Sequence, residues 1–213
     1  MKPKFSVYIA SSLDGFIARK DGSFDWLEFD SPDASGAEDS GADGSSADDS
    51  GAESSSADAS GADASDAEDY GFAEFIETVD LLLMGRHTYE TLLTFDEWVY
   101  GDTELMVLSS TLGPEAIPAR HEGKVSIASG TPHEILADLT EKGVRHVYVD
   151  GGITLQAFIH AGLIDEITIS IIPVLIGEGI PLFGPLAGDL RLHHVSTRSF
   201  PSGLVQVKYR TFE

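Results

Sequence analysis

The chain contains no cysteine among its 213 residues, which excludes disulfide bonds and thiolate chemistry. Basic residues are scarce as well, because 13 Lys and Arg stand against 36 Asp and Glu, and the formal net charge is −23. A surface of this charge repels phosphate backbones and anionic lipids. We therefore expect neither nucleic acid nor a membrane as a partner.

Long apolar runs are also missing. No run approaches the ~20 residues that span a bilayer, and the apolar run before Ser11 is too short for a secretory signal. A cytoplasmic location is therefore expected. Outside one polar segment, the remaining roughly 170 residues are ample for one buried core. We predict a single domain over residues 1–213, interrupted by that segment.

The polar segment covers residues 31–68 and consists almost entirely of Ser, Gly, Ala, Asp and Glu. A Ser-Gly-Ala-acid unit recurs at 35–38, 40–43, 50–53 and 60–63, which places the repeats on a five-residue grid. A period of five matches neither a helix nor a strand, and the segment has too little apolar surface to offset its ordering entropy. The pattern predicts a disordered, acidic, low-complexity loop.

The acidity extends beyond this loop. Residues 30–69 hold 13 acidic and no basic side chains, and removing them from the net charge of −23 leaves −10 for the rest of the chain. Two interpretations stay open: adaptation to a salt-rich cytoplasm, where screening reduces self-repulsion, or an ordinary acidic protein with one acidic loop.

Strand-like and helix-like patterns alternate along the rest of the chain. Strands are predicted at 4–10, 81–84, 105–109, 124–127, 145–149, 165–173 and 204–212, and helices at 69–79, 87–93, 132–141 and 153–161. This alternation predicts an α/β fold with a mainly parallel sheet and helices on both faces. The stretch 165–212 lacks a helical pattern and should supply antiparallel strands at one edge.

The segment Met84–Glu90 (MGRHTYE) is the strongest local signal in the chain. It follows the apolar residues 81–83, so it predicts a strand, a glycine turn and the start of a helix that Thr88 would cap. The free amides of such a start attract phosphate. Arg86 adds a forked guanidinium donor, and His87 adds a second donor.

Five segments, taken in order, resemble those of the dihydrofolate reductases. They are 5–18 (FSVYIASSLDGFIA), 84–90, 107–111 (VLSST), 147–154 (VYVDGGIT), and 165–168 (DEIT) with 173–183 (PVLIGEGIPLF). The last of them is more similar to the reductase domain of the riboflavin-biosynthesis deaminase–reductase and its stand-alone relatives. The resemblance covers nearly the whole chain except residues 31–68. It implies a dihydrofolate-reductase-like fold and NADPH as the cofactor.

The resemblance also implies where NADPH binds. Contacts are expected at the nicotinamide end from Ala10, Ser11 and Ile17; at the first strand–turn–helix from Gly85, Arg86, His87 and Thr88; at the adenosine end from Ser109 and Ser110; and at the pyrophosphate from Gly151, Gly152, Ile153 and Thr154. Arg86 beside the two serines would select the 2′-phosphate of NADPH. Thr154 would cap its helix, and a cis peptide would join the two glycines.

Two carboxylates are candidates for supplying the proton that accompanies hydride transfer. Asp69 stands where the folate enzymes carry their substrate carboxylate. Asp150 immediately precedes the glycine pair, where the riboflavin reductases often have glutamate. The residues do not decide between them. His146, His193 and His194 show no metal-ligand spacing with nearby acids, and no metal is assigned.

These features together predict an NADPH-dependent oxidoreductase of a small heterocyclic or carbonyl substrate. The resemblance implies 5-amino-6-(5-phosphoribosylamino)uracil reductase of riboflavin biosynthesis and a homodimer. Dihydrofolate reduction is one alternative, although residues 100–105 hold two acids where folate enzymes place an arginine for the glutamate tail. A catalytically silent nucleotide-binding or regulatory protein is the other alternative.

Overall fold

The computed structural model describes residues 1–27, 69–95, 98 and 100–212. Its strands are β1 (Lys4–Ser12), β2 (Phe16–Ala18), β3 (Leu81–Gly85), β4 (Glu104–Leu108), β5 (Val125–Ala128), β6 (His146–Asp150), β7 (Glu166–Ile172), β8 (Ile180–Pro181), β9 (Leu192–Ser199) and β10 (Val205–Thr211). Its α-helices are α1 (Phe72–Glu77), α2 (Arg86–Leu92), α3 (Pro132–Glu141) and α4 (Gly152–His160), with 3-10 turns at Asp25–Leu27, Pro114–Ala116 and Ala119–His121.

Eight of these strands form one mixed sheet in the order β5-β4-β3-β6-β1-β7-β10-β9. The first six are parallel, and β10 and β9 complete the sheet as antiparallel strands. The prediction of a mainly parallel sheet with an antiparallel edge is confirmed. The predicted acidic loop at 31–68 lies outside the described residues.

Three strands were not predicted. β2 and β8 are short and pair only with each other, which leaves little periodicity to detect. β9 lies at the edge of the sheet, and seven of its eight side chains are exposed. Because neither of its faces is apolar, its sequence (LHHVSTRS) carries no alternation that would mark a strand.

The helices begin and end for local reasons. Helix α3 is capped by Thr131, whose side chain accepts from the Glu134 amide while the Glu134 carboxylate accepts from the Thr131 amide. This reciprocal capping box is the start that the Thr-Pro pair predicts. Helix α1 is shorter than the predicted 69–79, since it covers only Phe72–Glu77. No described helix is long and apolar enough to span a bilayer.

The two faces of the sheet differ in polarity. One face packs against α3 and α4 through a continuous apolar core that includes Phe5, Leu83, Leu155 and Phe158. The other face carries a second core under α1 and α2, but that core covers mainly β3, β4 and β6. Where the same face continues across β1, β7 and β10, it carries buried polar side chains such as Ser6, Thr168 and Gln206. Toward the carboxyl ends of β1 and β7 it is apolar again, in a small third core around Trp26 and Ile172.

Candidate active site

The parallel strands β1 and β6 cease to pair toward their carboxyl ends, and the region beyond the last pair is called the crevice below. The ladder between β1 and β6 ends at the pair Ser6–Tyr148, although β1 continues to Ser12. Beyond that pair, the Tyr148 hydroxyl donates to the Tyr8 carbonyl at 2.8 Å. The crevice lies where the strand order reverses around β6, and in α/β sheets such a point commonly binds a ligand.

The starts of α2 and α4 interlock at this crevice. Gly85 caps α2, and a Cβ at this position would lie 2.8 Å from the Thr154 hydroxyl of α4. Gly151 caps α4, and a Cβ there would overlap the Thr88 hydroxyl of α2. Each glycine therefore accommodates the threonine of the opposite helix. The structure brings these four predicted residues together.

The expectation that Thr88 and Thr154 cap their own helices is wrong. Each threonine is the third residue of its helix, and neither helix start has a side-chain cap. The first amides of α4 are consequently left without side-chain partners, which makes them available to an anion. The Gly151–Gly152 peptide is trans rather than cis, and the turn is made by the positive φ of Gly151, 85°.

Strand β2, which follows the β1–β2 loop, approaches the same helix start. The Ile17 side chain lies 2.8 Å from where a Cβ of Gly152 would stand, and Ile180 of β8 lies 3.5 Å from it. Ile153 beside them is 75% exposed, which is unusual for a large apolar side chain. Ala10 and Ser11, near the end of β1, complete this side of the crevice, Ser11 being buried.

A clamp fixes the loop that connects β1 to β2. The Asp14 carboxylate accepts from the Ser12 hydroxyl at 2.6 Å and from the backbone amides of Ile176 and Gly177 at 3.3 and 2.7 Å. These bonds lower the pKa of Asp14, with the Ser12 hydroxyl as the largest cause. Asp14 therefore joins two loops as an ionised acceptor and is a poor proton donor.

The predicted 2′-phosphate residues stand on adjoining strand ends. Gly85 pairs with Leu108 across β3 and β4, so Arg86 and Ser109 each follow a directly paired residue. The Arg86 guanidinium lies 3.3 Å from the His87 ring nitrogen and 3.8 Å from the Glu90 carboxylate.

Ser109 and Ser110 differ in whether their hydroxyls are already engaged within the protein. The Ser109 hydroxyl accepts from the amides of Thr111 and Leu112, which ties the turn together, whereas Ser110 is exposed. Ser110 is therefore the freer of the two hydroxyls toward a ligand.

Asp150 is the acid that the structure places in the crevice. Its carboxylate accepts from the Gly151 amide at 2.7 Å, yet burial raises its pKa to about 6. Burial and the Asp150 carboxylate in turn raise the pKa of Tyr100 and Tyr148. An acid with a pKa near neutrality at a ligand-binding edge is suited to donating a proton.

Asp69 has a different environment. Its carboxylate accepts from the amides of Gly71 and Ala73, both at 2.8 Å, at the start of α1. These two bonds lower its pKa, so it stays ionised at neutral pH. The geometry favours a capping role for Asp69 and leaves Asp150 as the stronger candidate acid.

A polar patch of the sheet next to the crevice was missed by sequence reasoning. Ser170 and Gln206 are buried on β7 and β10, and the Gln206 amide donates to the Tyr8 hydroxyl at 2.7 Å and to Ser170 at 3.1 Å. The signal in the sequence was the alternation of Glu166, Thr168 and Ser170 with isoleucines along β7. Buried polar side chains in place of a core indicate a binding surface.

Comparison with known proteins agrees with this geometry. The family described as RibD C-terminal domain matches residues 3–206. A Shewanella sp. PV-4 protein assigned to riboflavin biosynthesis is 34% identical, with all of both chains covered and a TM-score of 0.75.

Two further solved structures share the fold. One is the Thermotoga maritima diaminohydroxyphosphoribosylaminopyrimidine deaminase/5-amino-6-(5-phosphoribosylamino)uracil reductase (14% identity, 99% of this chain, 57% of that chain, TM-score 0.64). The other is Enterococcus faecalis dihydrofolate reductase complexed with NADP(H) (15% identity, 99% of this chain, 97% of that chain, TM-score 0.57). The fold is therefore dihydrofolate-reductase-like.

Proposed function

The chain belongs to the RibD C-terminal domain family, and from this premise we propose that it is an NADPH-dependent reductase of a small heterocyclic or carbonyl substrate. Within that class, the family suggests reduction of a ribosylamino-pyrimidine phosphate, the reductase step of riboflavin biosynthesis. The observation that carries the proposal is the pair of glycine-capped helix starts of α2 and α4, called the glycine cradle, beside a partly buried acid with a raised pKa, Asp150, on the same sheet edge.

The residues at this edge fit a dinucleotide. Gly85, Gly151 and Gly152 let the starts of α2 and α4 and the Ile17 side chain pack closely together, and the start of α4 has no side-chain cap that would compete with a pyrophosphate for its first amides. The apolar Ile17 would supply surface for the nicotinamide side, and the exposed Ile153 stands at the expected pyrophosphate position. Arg86 and Ser110 would contact the 2′-phosphate.

In the proposed reaction the cofactor, Asp150 and the β1–β2 loop have different roles, which their positions suggest. NADPH supplies the hydride when it is bound. Asp150 would donate a proton to the nitrogen or oxygen atom of the reduced C=N or C=O bond, and its raised pKa keeps an appreciable protonated fraction near neutral pH. The β1–β2 loop, held by the Asp14 clamp, would cover the crevice and reduce access of water.

We expect Arg86→Ala to weaken NADPH binding by about 1.5–3 kcal/mol, the range for a hydrogen bond to a charged group. NADH binding should change little, because NADH lacks the 2′-phosphate. Titration calorimetry with both cofactors measures the difference, and Arg191→Ala, which removes another exposed arginine, is the matched control. Equal losses for NADPH and NADH would remove this assignment of Arg86.

Turnover assays test the reductase itself. Purified protein with NADPH should lose nicotinamide absorbance with a pyrimidine or carbonyl substrate from a panel that includes dihydrofolate. We expect dihydrofolate to be poor, because Asp102 and Glu104 would repel its anionic tail. Turnover of dihydrofolate at a micromolar Michaelis constant would contradict this expectation, and binding of NADPH without any turnover would favour a silent nucleotide-binding protein.

The proposal includes a homodimer, for which β9 is the candidate contact. This strand ends the sheet, and its Val195 side chain is 43% exposed. Exposed edges invite pairing with another strand. Sedimentation equilibrium should give a dimer for the native chain and a monomer for Val195→Glu, whereas Leu175→Glu, away from β9, should stay dimeric. A dimeric Val195→Glu variant would place the contact elsewhere.

A further inference from the structure

Residues 180–185 (IPLFGP), called the strap below, lie along one face of helix α4. The helix contacts the strap through Gly152, Gln156 and His160, which share this face because they are spaced by four residues. Their contacts on the strap are, in the same order, Ile180, Pro181 and Pro185. The strap therefore follows the helix from its start to its last residue.

Side chains of α4 supply the donors that hold the strap. The Gln156 amide donates to the Pro181 carbonyl at 3.0 Å, and a Cβ at Gly184 would lie 2.6 Å from the Gln156 Oε1 atom. Two of the six strap residues are prolines, which have no N–H to donate, so the strap binds the helix through its carbonyl oxygens. Apart from Thr154 at the helix start, Gln156 and His160 are the only polar side chains of α4.

Both ring nitrogens of His160 face backbone carbonyl oxygens. Nδ1 lies 2.7 Å from the Gln156 carbonyl oxygen, one turn earlier in α4, and Nε2 lies 2.6 Å from the Pro185 carbonyl oxygen of the strap. A carbonyl oxygen can only accept, and a neutral imidazole has one N–H, so a neutral ring can satisfy only one of these two contacts. An imidazolium donates to both. The geometry therefore fits the protonated ring.

Backbone dipoles rather than charged side chains surround His160. It is the last residue of α4, where the partial negative charge of a helix end attracts a cation. Neither α4 nor the strap contains Asp, Glu, Lys or Arg, and no carboxylate of the described residues lies within ion-pairing distance of this ring. The acids that follow along the chain are Asp165, which pairs with Lys2, and Asp189, which is exposed. Backbone oxygens alone therefore hold the second proton of the ring.

The strap in turn holds the β1–β2 loop and contacts the glycine cradle. Its first two residues form β8, which pairs with β2, and the Leu182 amide donates to the Gly15 carbonyl at 2.9 Å. Ile180 lies 3.5 Å from the position that a Cβ of Gly152 would take, at the start of α4. Release of the strap from the end of α4 would therefore loosen both the β1–β2 loop and the packing on Gly152.

We propose that His160 is a positioning residue whose protonated ring holds the strap on α4 and thereby keeps the β1–β2 loop and the glycine cradle in place for the cofactor. The link to the cofactor rests on the proposed reductase function, whereas the strap itself does not. Histidine changes its charge between about pH 5 and 8. The strap is therefore held firmly on the acid side of this range and loosens as the pH rises.

The ring itself provides the first test. NMR of the isotope-labelled native chain at about pH 5.5 should show both ring N–H protons of His160, because each is held in a hydrogen bond. Those of the exposed His133 should exchange with water too rapidly to be seen. Loss of the two signals in His160→Gln assigns them. Protection of only one ring N–H would mean that the double contact does not form and would refute the proposal.

Hydrogen exchange tests the strap without cofactor. At about pH 5.5, His160→Gln should speed exchange of the Leu182 amide at least about fivefold, because a hydrogen bond from a charged donor is worth more than that. At about pH 8, where histidine is largely neutral, the variant and the native chain should agree within about twofold. His133→Gln, which removes an exposed histidine from α3, is the matched control and should match the native chain throughout. An effect of His160→Gln that is absent, or equal at both pH values, would overturn the proposal.

Cofactor binding separates this inference from the proposed function. At about pH 6, His160→Gln should raise the NADPH dissociation constant at least about threefold, and at about pH 8 it should change it little. Comparison at each pH cancels the ionisation of Asp150, which both proteins share. Equal dissociation constants at the lower pH would contradict the positioning role. If the Leu182 amide responds as expected but the protein binds no NADPH, the strap stands and the reductase function fails.

Discussion

Replacing Asp150 with asparagine is expected to lower kcat by about 10²–10⁴-fold, the usual contribution of a general acid. The amide preserves the size of the side chain and its bond to the Gly151 amide but cannot donate the catalytic proton. The dissociation constant of NADPH should stay within a few-fold of the native value. Asp69→Asn is the matched control and should leave kcat nearly unchanged, since Asp69 accepts backbone amides at the start of α1. If Asp69→Asn lowered kcat more than Asp150→Asn does, Asp69 rather than Asp150 would be the proton donor.

The pH dependence follows from the raised pKa of Asp150, about 6. The acid must be protonated to act, so kcat should fall as pH rises above about 6 in the native enzyme. A profile without this fall would contradict the assignment.

The free energy of unfolding should also depend on the ionisation of Asp150. A carboxyl whose pKa is higher in the folded state than in the unfolded state costs stability once it ionises. That loss develops between about pH 4 and pH 6 and amounts to at most about 3 kcal/mol. Denaturant unfolding across this range should show the loss in the native protein and its absence in Asp150→Asn.

Replacing Gly151 with alanine is expected to abolish cofactor binding and to destabilise the protein by several kcal/mol. Two effects combine at this position: its φ of 85° is strained for any residue with a Cβ, and the new methyl group would overlap the Thr88 hydroxyl. The backbone strain alone costs about 1–3 kcal/mol. Displacing α2 would also separate the two helix starts that form the cradle.

Gly123→Ala provides the matched control, because Gly123 has a φ of 82° but open space around its Cβ position. It should show only the backbone strain and should bind NADPH normally. Thermal unfolding and cofactor titration distinguish the two variants. If Gly151→Ala lost no more stability than Gly123→Ala, then the contact with Thr88 would not be tight.

Helices and strands with a clear pattern of apolar side chains or a local capping signal were predictable from the sequence. The buried strand at 81–84 is apolar throughout, the strand predicted at 145–149 has a buried stretch at 147–149 (VYV), and α3 carries a complete capping box. The glycine turns at 85 and 151 indicated the edge proposed to bind cofactor, because few other residues permit such close approach. These features are local, so the sequence displays them directly.

The remainder of the site depends on contacts between distant segments. Nothing near Thr88 indicates that its hydroxyl faces Gly151, and the raised pKa of Asp150 results from burial rather than from its sequence neighbours. Arg198 lies on an edge strand without periodicity, and it stands beside the buried Gln206 only through the pairing of β9 with β10. Local patterns cannot contain such information.

The interlocking of α2 and α4 has a consequence for folding order. The contacts of Gly85 with Thr154 and of Gly151 with Thr88 join segments that are far apart in the chain, and β6 must insert beside β3 before they can form. Pairing of such distant segments is slow, because the chain loses the entropy of loop closure before the stabilising contacts form. Intermediates that lack β6 would also lack the paired helix starts. If the proposed cofactor NADPH binds there, it would bind only chains that have completed the sheet and would shift the last folding steps toward the native state.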